Sequence, residues 1–219
     1  MKKKTKLKKN VKILLILSII VLIIMIILVG YKVCTKYIFV EKEEEQTVKP
    51  VEKEEIDLEE YDYYIPSNTT EYEKTLFEEL KNILSNENID NDAYANTIAK
   101  LFISNLFTLN TKNSSSDITS SQYVYDDYEE TFKIMVKDTI YANIELNLAG
   151  KRTQVLPIVT NVEITSVERK SFSLNKIVID KEAYYIKTNI SYEKDLNYPK
   201  EYNIVLVKNN NLLQVVKAS

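Results

Sequence analysis

Acidic residues are the side chains in this sequence whose spacing most directly suggests chemistry, because they form three close pairs. The pairs are Asp126 with Asp127, Glu129 with Glu130, and Asp180 with Glu182. Two carboxyl groups flanking a bond are enough for glycoside hydrolysis, so a two-carboxylate envelope hydrolase is one hypothesis. The first two pairs, however, precede a helical pattern, where acids cap the helix and offset its dipole, and the third lies in a predicted turn. We therefore predict structural or surface roles for all six carboxylates.

The residue types that most other enzymes need are missing from the sequence. It contains no histidine, which removes the commonest general base and the commonest metal ligand. The only cysteine is Cys34, beside a predicted membrane span. Gly30 and Gly150 are the only glycines, so no glycine-rich phosphate-binding loop can form. We predict no catalytic residues, no metal site and no cofactor, and therefore a protein that is not an enzyme.

Tyrosine is the more suggestive residue, with sixteen copies and no tryptophan. A tyrosine can bury its ring and leave its hydroxyl in water, which suits protein interfaces. We predict a candidate interface on the last predicted strands, formed by Tyr184, Tyr185, Tyr192, Tyr198 and Tyr202. The alternative is that the strand propensity of tyrosine accounts for all five.

The amino terminus has the charge pattern of a single-pass signal anchor. Residues 1–12 form a basic tail with seven lysines, and residues 13–33 are predicted to form a transmembrane helix long enough for a hydrocarbon core of about 30 Å. Lysines keep their end of a span in the cytoplasm. A cleaved signal peptide needs small residues before its cleavage site, whereas Tyr31 and Lys32 stand there. We predict a retained anchor in the cytoplasmic membrane with an extracytoplasmic carboxyl-terminal part.

Residues 34–66 are predicted to form an acidic extracytoplasmic stalk. Eleven acids and three lysines lie between Glu41 and Asp62. Nine of the 29 basic residues precede residue 41, so the remainder has 20 basic against 32 acidic residues, a net charge of −12. Such a surface disfavours nucleic acid as a partner. The acidic segment acts either as a self-repelling spacer or as a docking segment for a basic partner.

Residues 67–219 have the composition of one folded domain whose first half is helical. Thr70 and Glu73 form a capping box for a first helix that ends near Ser85. Asn91 or Asp92 is predicted to cap a second helix. Its predicted buried stripe consists of Tyr94, Ile98, Leu101, Phe102, Leu106 and Leu109. A third helix is predicted after an extended piece at residues 118–125; it is capped by Asp126 or Asp127 and its apolar positions are Phe132, Met135, Val136 and Ile140.

The second half of the domain changes to the two-residue alternation of strands. Strand patterns cover Val162–Thr165, Phe172–Leu174 and Tyr184–Glu193, and a terminal hairpin turns at Asn209–Asn211. Helices followed by antiparallel strands predict an α+β fold, with helices packed on one face of a curved, cone-like sheet.

This order of elements resembles the nuclear-transport-factor-2-like cone. With the basic tail, the single span and the stalk, the whole plan resembles the bitopic scaffold proteins of bacterial type IV secretion and conjugation machines. The runs Ile98–Leu109, Tyr123–Tyr141, Leu156–Val162 and Tyr192–Tyr198 are similar to uncharacterised membrane proteins of low-GC Gram-positive bacteria. The resemblance implies a cone-shaped outer domain in the cell envelope.

Three functional hypotheses follow from the sequence. The first is a structural or assembly protein whose outer domain binds a protein partner or a second copy of itself, in addition to its membrane contact. The second is a small-ligand-binding or sensing domain that uses the interior of the curved sheet, and the third is the two-carboxylate hydrolase. We favour the first, because it requires a surface and no active site.

Overall fold

The computed structural model describes residues 54–55, 61, 63–147 and 150–219. Residues 1–12, the predicted span 13–33 and most of the predicted stalk therefore lie outside the described residues. None of the helices in the described part is long and apolar enough to cross a bilayer. The described chain is α+β, as predicted. Its elements are β1 (Glu54–Glu55), β2 (Tyr64–Ile65), α1 (Glu71–Leu84), α2 (Asn91–Phe107), α3 (Glu129–Asp138), β3 (Val159–Leu174), β4 (Ile177–Tyr192), β5 (Glu201–Asn209) and β6 (Leu212–Ala218).

Helix α1 begins with the predicted capping box. The Thr70 hydroxyl accepts the Glu73 backbone N–H, and the Glu73 carboxylate accepts the Thr70 backbone N–H. Ser85 ends the helix, as predicted. The apolar side chains Leu76, Phe77 and Leu80 are buried. Reciprocal capping and one apolar face therefore fix this helix from local sequence alone.

Helix α2 runs through the centre of the domain, in contact with α1 and the sheet. All six residues of its predicted stripe are buried, although Leu109 follows the end of the helix at Phe107. The cap is Asp90, one residue before the prediction, because its carboxylate accepts the backbone N–H groups of Asp92 and Ala93. Ala95, Ala99 and Ser104 are buried as well, so this helix is covered on more than one side.

The segment before α3 differs from the sequence prediction. Residues 118–125 were expected to be extended, but Thr119–Tyr123 form a 3₁₀ helix. Asp126 and Asp127 were expected to cap the third helix, but they belong to a second 3₁₀ turn, Asp126–Tyr128, that runs directly into α3. Tight turns of this kind rest on local hydrogen bonds and have no apolar repeat that would reveal them. In α3, Phe132 and Val136 are buried as predicted, whereas Met135 is exposed.

The four long strands form an antiparallel sheet in the order β3-β4-β5-β6, so each strand lies beside its sequence neighbour. Strands β3 and β4 are longer than predicted and meet at a turn where Asn175 and Lys176 have φ values of 48° and 69°. Asp180 and Glu182 therefore lie within β4 and not in a turn, which corrects the prediction. The predicted turn at Asn209–Asn211 is confirmed, with Asn210 at φ 55°. Register shifts along β3 mark irregularities that bend the sheet.

One face of the sheet packs on the helices, and we call it the helical face. Ile186, Ile204 and Val215 lie on this face within the main core. The opposite, open face has a smaller apolar cluster in which Ala183, Val205 and Val207 are buried. Side-chain alternation along β4 and β5 explains both clusters, since successive residues point to opposite faces.

The folded domain begins before the predicted boundary at residue 67. Tyr61 and Tyr63 are buried in the main core, and β2 pairs with β1 across Glu55 and Tyr64. Tyr61, Tyr63 and Ile65 alternate along the chain as strand residues do, and their ring and aliphatic surfaces outweigh the acidic composition around them. The last residues of the predicted stalk are therefore part of the domain.

Candidate functional site

The five candidate tyrosines do not form one surface. Tyr184, Tyr192, Tyr198 and Tyr202 pack against the main core, whereas Tyr185 packs against the open-face cluster. The ring of Tyr202 meets Phe107 edge-on at 5.0 Å. Their rings divide between the main core and the open-face cluster, and a role for them in an interface stays a prediction.

Tyr184 and Tyr192 illustrate this packing role. The Arg169 guanidinium lies 4.8 Å from the ring centre of Tyr184, and burial raises the pKa of the Tyr184 hydroxyl to about 12. The Tyr192 hydroxyl donates to the Pro199 carbonyl at 2.8 Å, and its ring lies 6.4 Å from that of Tyr198. The Tyr184 contact joins β3 to β4, and the Tyr192 contacts hold the β4–β5 connection beside the end of β4.

Three other tyrosines close the edges of the sheet with their hydroxyl groups. The Tyr72 hydroxyl accepts the Val162 N–H of edge strand β3 at 2.8 Å. At the other edge, the Tyr94 hydroxyl accepts the Leu213 N–H of β6 at 3.2 Å, and the Tyr63 hydroxyl donates to the Leu213 carbonyl at 3.4 Å. The Tyr63 and Tyr94 hydroxyls are also hydrogen bonded to each other at 2.7 Å. Side chains thus replace the neighbouring strand that each edge lacks at these points.

Sequence reasoning missed these edge contacts because they join distant parts of the chain. The alternation of Tyr61, Tyr63 and Ile65 was the available signal, since it indicates that the segment is extended and half-buried. No pattern within the segment identifies Leu213 as the partner.

Buried tyrosines predict a loss of stability at high pH. Burial raises the pKa values of Tyr63, Tyr123 and Tyr141 well above 10. Above pH 10 the unfolded chain loses these protons while the folded chain keeps them, so the stability is complete below about pH 10 and falls as the pH rises toward the folded-state pKa values. In a tyrosinate absorbance titration of the full chain, we expect one group of tyrosines to ionise near their ordinary pKa and the buried group to ionise only together with loss of circular dichroism. Ionisation of all sixteen before any unfolding would contradict this.

A buried lysine lies beyond the end of α2. The Lys112 ammonium donates to Asn105 Oδ1 at 3.1 Å and to Thr119 Oγ1 at 2.8 Å, and Thr119 also donates to Asn105 at 2.6 Å. Burial lowers the pKa of Lys112, while the charges of Glu73 and Asp117 oppose that shift. The sequence did not predict this buried cluster, because Lys112 stands there only as part of a polar run.

Lys112 and Glu73 line the same small cavity, of about 10 Å³. Glu73 is buried, and its Oε1 has no hydrogen-bond partner among the described residues. A cavity of this volume corresponds to about one water molecule and excludes any larger substrate. The Arg152 guanidinium stabilises the same turn by donating to the carbonyls of Lys112 and Asn110, each at 2.7 Å. The arrangement therefore suits a structural polar cluster better than a reactive lysine.

The predicted carboxylate pairs near α3 are occupied by local contacts. Asp126 accepts the Gln214 amide at 2.8 Å. Glu129 accepts the Ser121 hydroxyl at 3.1 Å and pairs with Lys133 at 2.7 Å. The hydrogen bond from Lys133 lowers the pKa of Glu129. Glu129 thus ties α3 to the first 3₁₀ helix, and Asp126 ties the second 3₁₀ turn to β6.

Besides a concavity of about 290 Å³ at the edge of β6, whose lining includes Asp126 and Glu129, two further concavities lie on the surface of the described residues. One, of about 240 Å³, is an apolar groove between α3 and β6, and we call it the α3–β6 groove. Its apolar lining consists of Val124, Tyr128, Phe132, Met135, Val215, Val216 and Ala218. The other, of about 440 Å³, lies on the open face, where Glu168, Lys170, Lys187, Glu201 and Lys217 give it a mixed charge.

Comparison with known proteins finds no match: no family model, no curated protein and no solved structure matches this chain.

Proposed function

We propose that this protein is a membrane-anchored, extracytoplasmic structural or assembly module of a bacterial cell envelope, which binds a protein partner and is not an enzyme. The α3–β6 groove is the observation that carries the proposal, because it places an apolar concavity beside the exposed Met135. Apolar surface next to a polar rim is typical of protein-binding sites. The anchor belongs to the same proposal and is supported by the charge pattern of residues 1–33.

Dense packing on the helical face favours a protein that binds partners at its surface and disfavours a ligand site inside the domain. Tyr94, Phe102 and Ile186 fill the space between the helices and the sheet. The cavity beside Lys112 is too small for a metabolite. Helices pack on one face of the sheet, which is consistent with a cone-like fold. The cone-like shape and the resemblance to secretion and conjugation scaffolds are therefore part of the proposal.

The open-face concavity favours a second candidate function, the binding of a small polar ligand. Its volume of about 440 Å³ is within the range of small-molecule sites, and Lys170 lies 4.2 Å from the ring centre of Tyr185 beside it. Two results together would favour this candidate. Zwitterionic metabolites would bind the protein but not the Lys187→Glu variant, and no partner would be found at the α3–β6 groove.

The leading proposal is tested by placing a photo-crosslinking amino acid at Met135 in the full-length protein in cells. We expect one adduct of reproducible mass, because Met135 lines the groove. Lys137 is the matched control, since it is exposed on the same helix but does not line the groove. A second variant, Thr131→Arg, introduces charge at an exposed position of the groove and should remove the adduct.

Equal labelling from positions 135 and 137, or an adduct that survives Thr131→Arg, would contradict the proposal. An adduct with twice the mass of the chain would identify the partner as a second copy.

A further inference from the structure

The β3–β4 hairpin extends beyond the part of the sheet that β5 covers. Pairing between β4 and β5 ends at Tyr184 with Leu206, whereas pairing between β3 and β4 continues to Leu174 with Ile177. Residues 177–183 of β4 therefore pair with β3 alone. We call residues 174–181 the hairpin tip. An isolated two-stranded ribbon has little stability of its own. Apolar side chains that it exposes to solvent therefore suggest contact with something outside the domain.

The hairpin tip is apolar on both faces of the ribbon. Ile177 is 67% exposed and Val178 is 50% exposed. As consecutive strand residues they point to opposite faces, and Leu174 pairs with Ile177 across the turn. Exposed apolar patches mark sites that bind proteins or membranes. Apolar side chains on both faces of the tip suit a lipid phase, because lipid can surround the tip on every side.

The charge of the hairpin tip contrasts with that of the rest of the domain. Lys176 and Lys181 are exposed, while Asp180, the only acid of the tip, accepts the backbone N–H groups of Glu182 and Lys208 at 2.8 Å each. The tip thus has a net charge of +1 in a chain whose residues after 40 have a net charge of −12. Lysines around an apolar tip favour an anionic lipid surface and disfavour a basic partner.

The hairpin tip and the start of the folded domain lie at the same end of the sheet. The Tyr61 ring lies 6.2 Å from that of Tyr94, in the first turn of α2. At this same end of α2, Asp92 lies 3.9 Å from Arg169 of the hairpin. The chain therefore enters the domain beside the base of the hairpin. The predicted span ends 28 residues before Tyr61, a length of chain that allows this end of the domain to meet the bilayer.

We propose that the hairpin tip docks on an anionic lipid bilayer, with Ile177 and Val178 at the level of the headgroups and acyl chains, and with Lys176 and Lys181 against lipid phosphates. The proposal rests on the proposed membrane anchor, which brings the domain close to a bilayer. Burial of two aliphatic side chains and attraction of two lysines are each weak, so the tip orients an already anchored domain and does not replace the anchor.

The absence of tryptophan from the chain allows a direct test. Ile177→Trp introduces a single tryptophan at the tip, and Ile134→Trp is the matched control, because Ile134 is 62% exposed on α3. Both full-length variants are reconstituted into phosphatidylglycerol-containing vesicles with brominated lipid. We expect blue-shifted emission, quenching by brominated lipid and protection from aqueous iodide for Trp at 177, and none of these for Trp at 134. In the Ile177→Trp background, Lys176→Glu with Lys181→Glu should reduce the quenching.

Carbonate-resistant association with the vesicles reports the anchor separately. If the chain is released by carbonate, the anchor on which this proposal rests fails. In protein that resists carbonate, Trp at 177 that stays as accessible to iodide as Trp at 134 overturns lipid docking while the anchor stands. Val178→Trp gives a second reading from the opposite face and should behave as Ile177→Trp does.

Discussion

Lys112→Met is expected to lower the free energy of unfolding by about 2 to 3 kcal/mol, because it removes two hydrogen bonds from a charged donor and a positive charge that interacts with buried Glu73. Methionine has a similar volume, so the loss is electrostatic and not a packing defect. Urea unfolding of the full chain in detergent, followed by circular dichroism, measures it. Lys137→Met, at an exposed position of α3, should change stability by less than about 0.5 kcal/mol.

A double-mutant cycle with Glu73→Gln separates the charge interaction from the hydrogen bonds. If the Lys112 charge compensates Glu73, Lys112→Met should cost less in the Glu73→Gln background than in the original chain. A gain of stability in Lys112→Met alone would show that the desolvation of the ammonium outweighs its contacts, and it would refute our description of the cluster.

Tyr94→Phe should destabilise the domain by about 1 to 3 kcal/mol, although it removes one oxygen atom only. The buried Leu213 N–H loses its acceptor, and the Tyr63 hydroxyl loses its closest partner. The phenylalanine ring keeps the packing with Tyr61, so the effect belongs to the hydroxyl. Chemical denaturation of the full chain in detergent gives the change in the free energy of unfolding.

Tyr185→Phe is the control for this prediction, because the Tyr185 hydroxyl makes a solvent-exposed contact of 3.4 Å with the Ser171 carbonyl. It should change stability by less than about 0.5 kcal/mol. Tyr63→Phe combined with Tyr94→Phe should cost less than the sum of the two single changes, since the hydroxyls share one hydrogen bond. Strict additivity would mean that the two hydroxyls act independently.

Local and periodic features of the fold were predictable from the sequence. The capping box of Thr70 and Glu73 is satisfied within one turn, and the alternation around Ile186 and Ile190 is fixed by which face of β4 is buried. The hairpin turn at Asn175–Lys176 was not predicted. The outer part of this hairpin is exposed to solvent and has no regular apolar alternation, so its polar residues, including Asp180, resemble a turn although they continue the strand.

The candidate site could not be predicted in the same way, because its contacts join positions far apart in the sequence. Tyr63 and Leu213 are 150 residues apart, and Tyr72 and Val162 are 90 residues apart. Lys112 is buried only because α1, α2 and the 3₁₀ segment meet around it. Solvent exposure of a tyrosine or lysine depends on the assembled domain, whereas sequence patterns report only the neighbourhood along the chain.

The closed edge of β6 also has a mechanical consequence. Tyr63 lies just after the chain enters the domain, and its ring and hydroxyl cover the edge at Leu213. Tension transmitted through the preceding segment would therefore act first on this short contact and only afterwards on the strands that pair along their whole length. Peeling the segment away would expose the Leu213 carbonyl to an incoming strand, while the Leu213 N–H stays bound to Tyr94 of α2. Pulling on the tether would thus open this edge of the sheet while the rest of the domain stays folded.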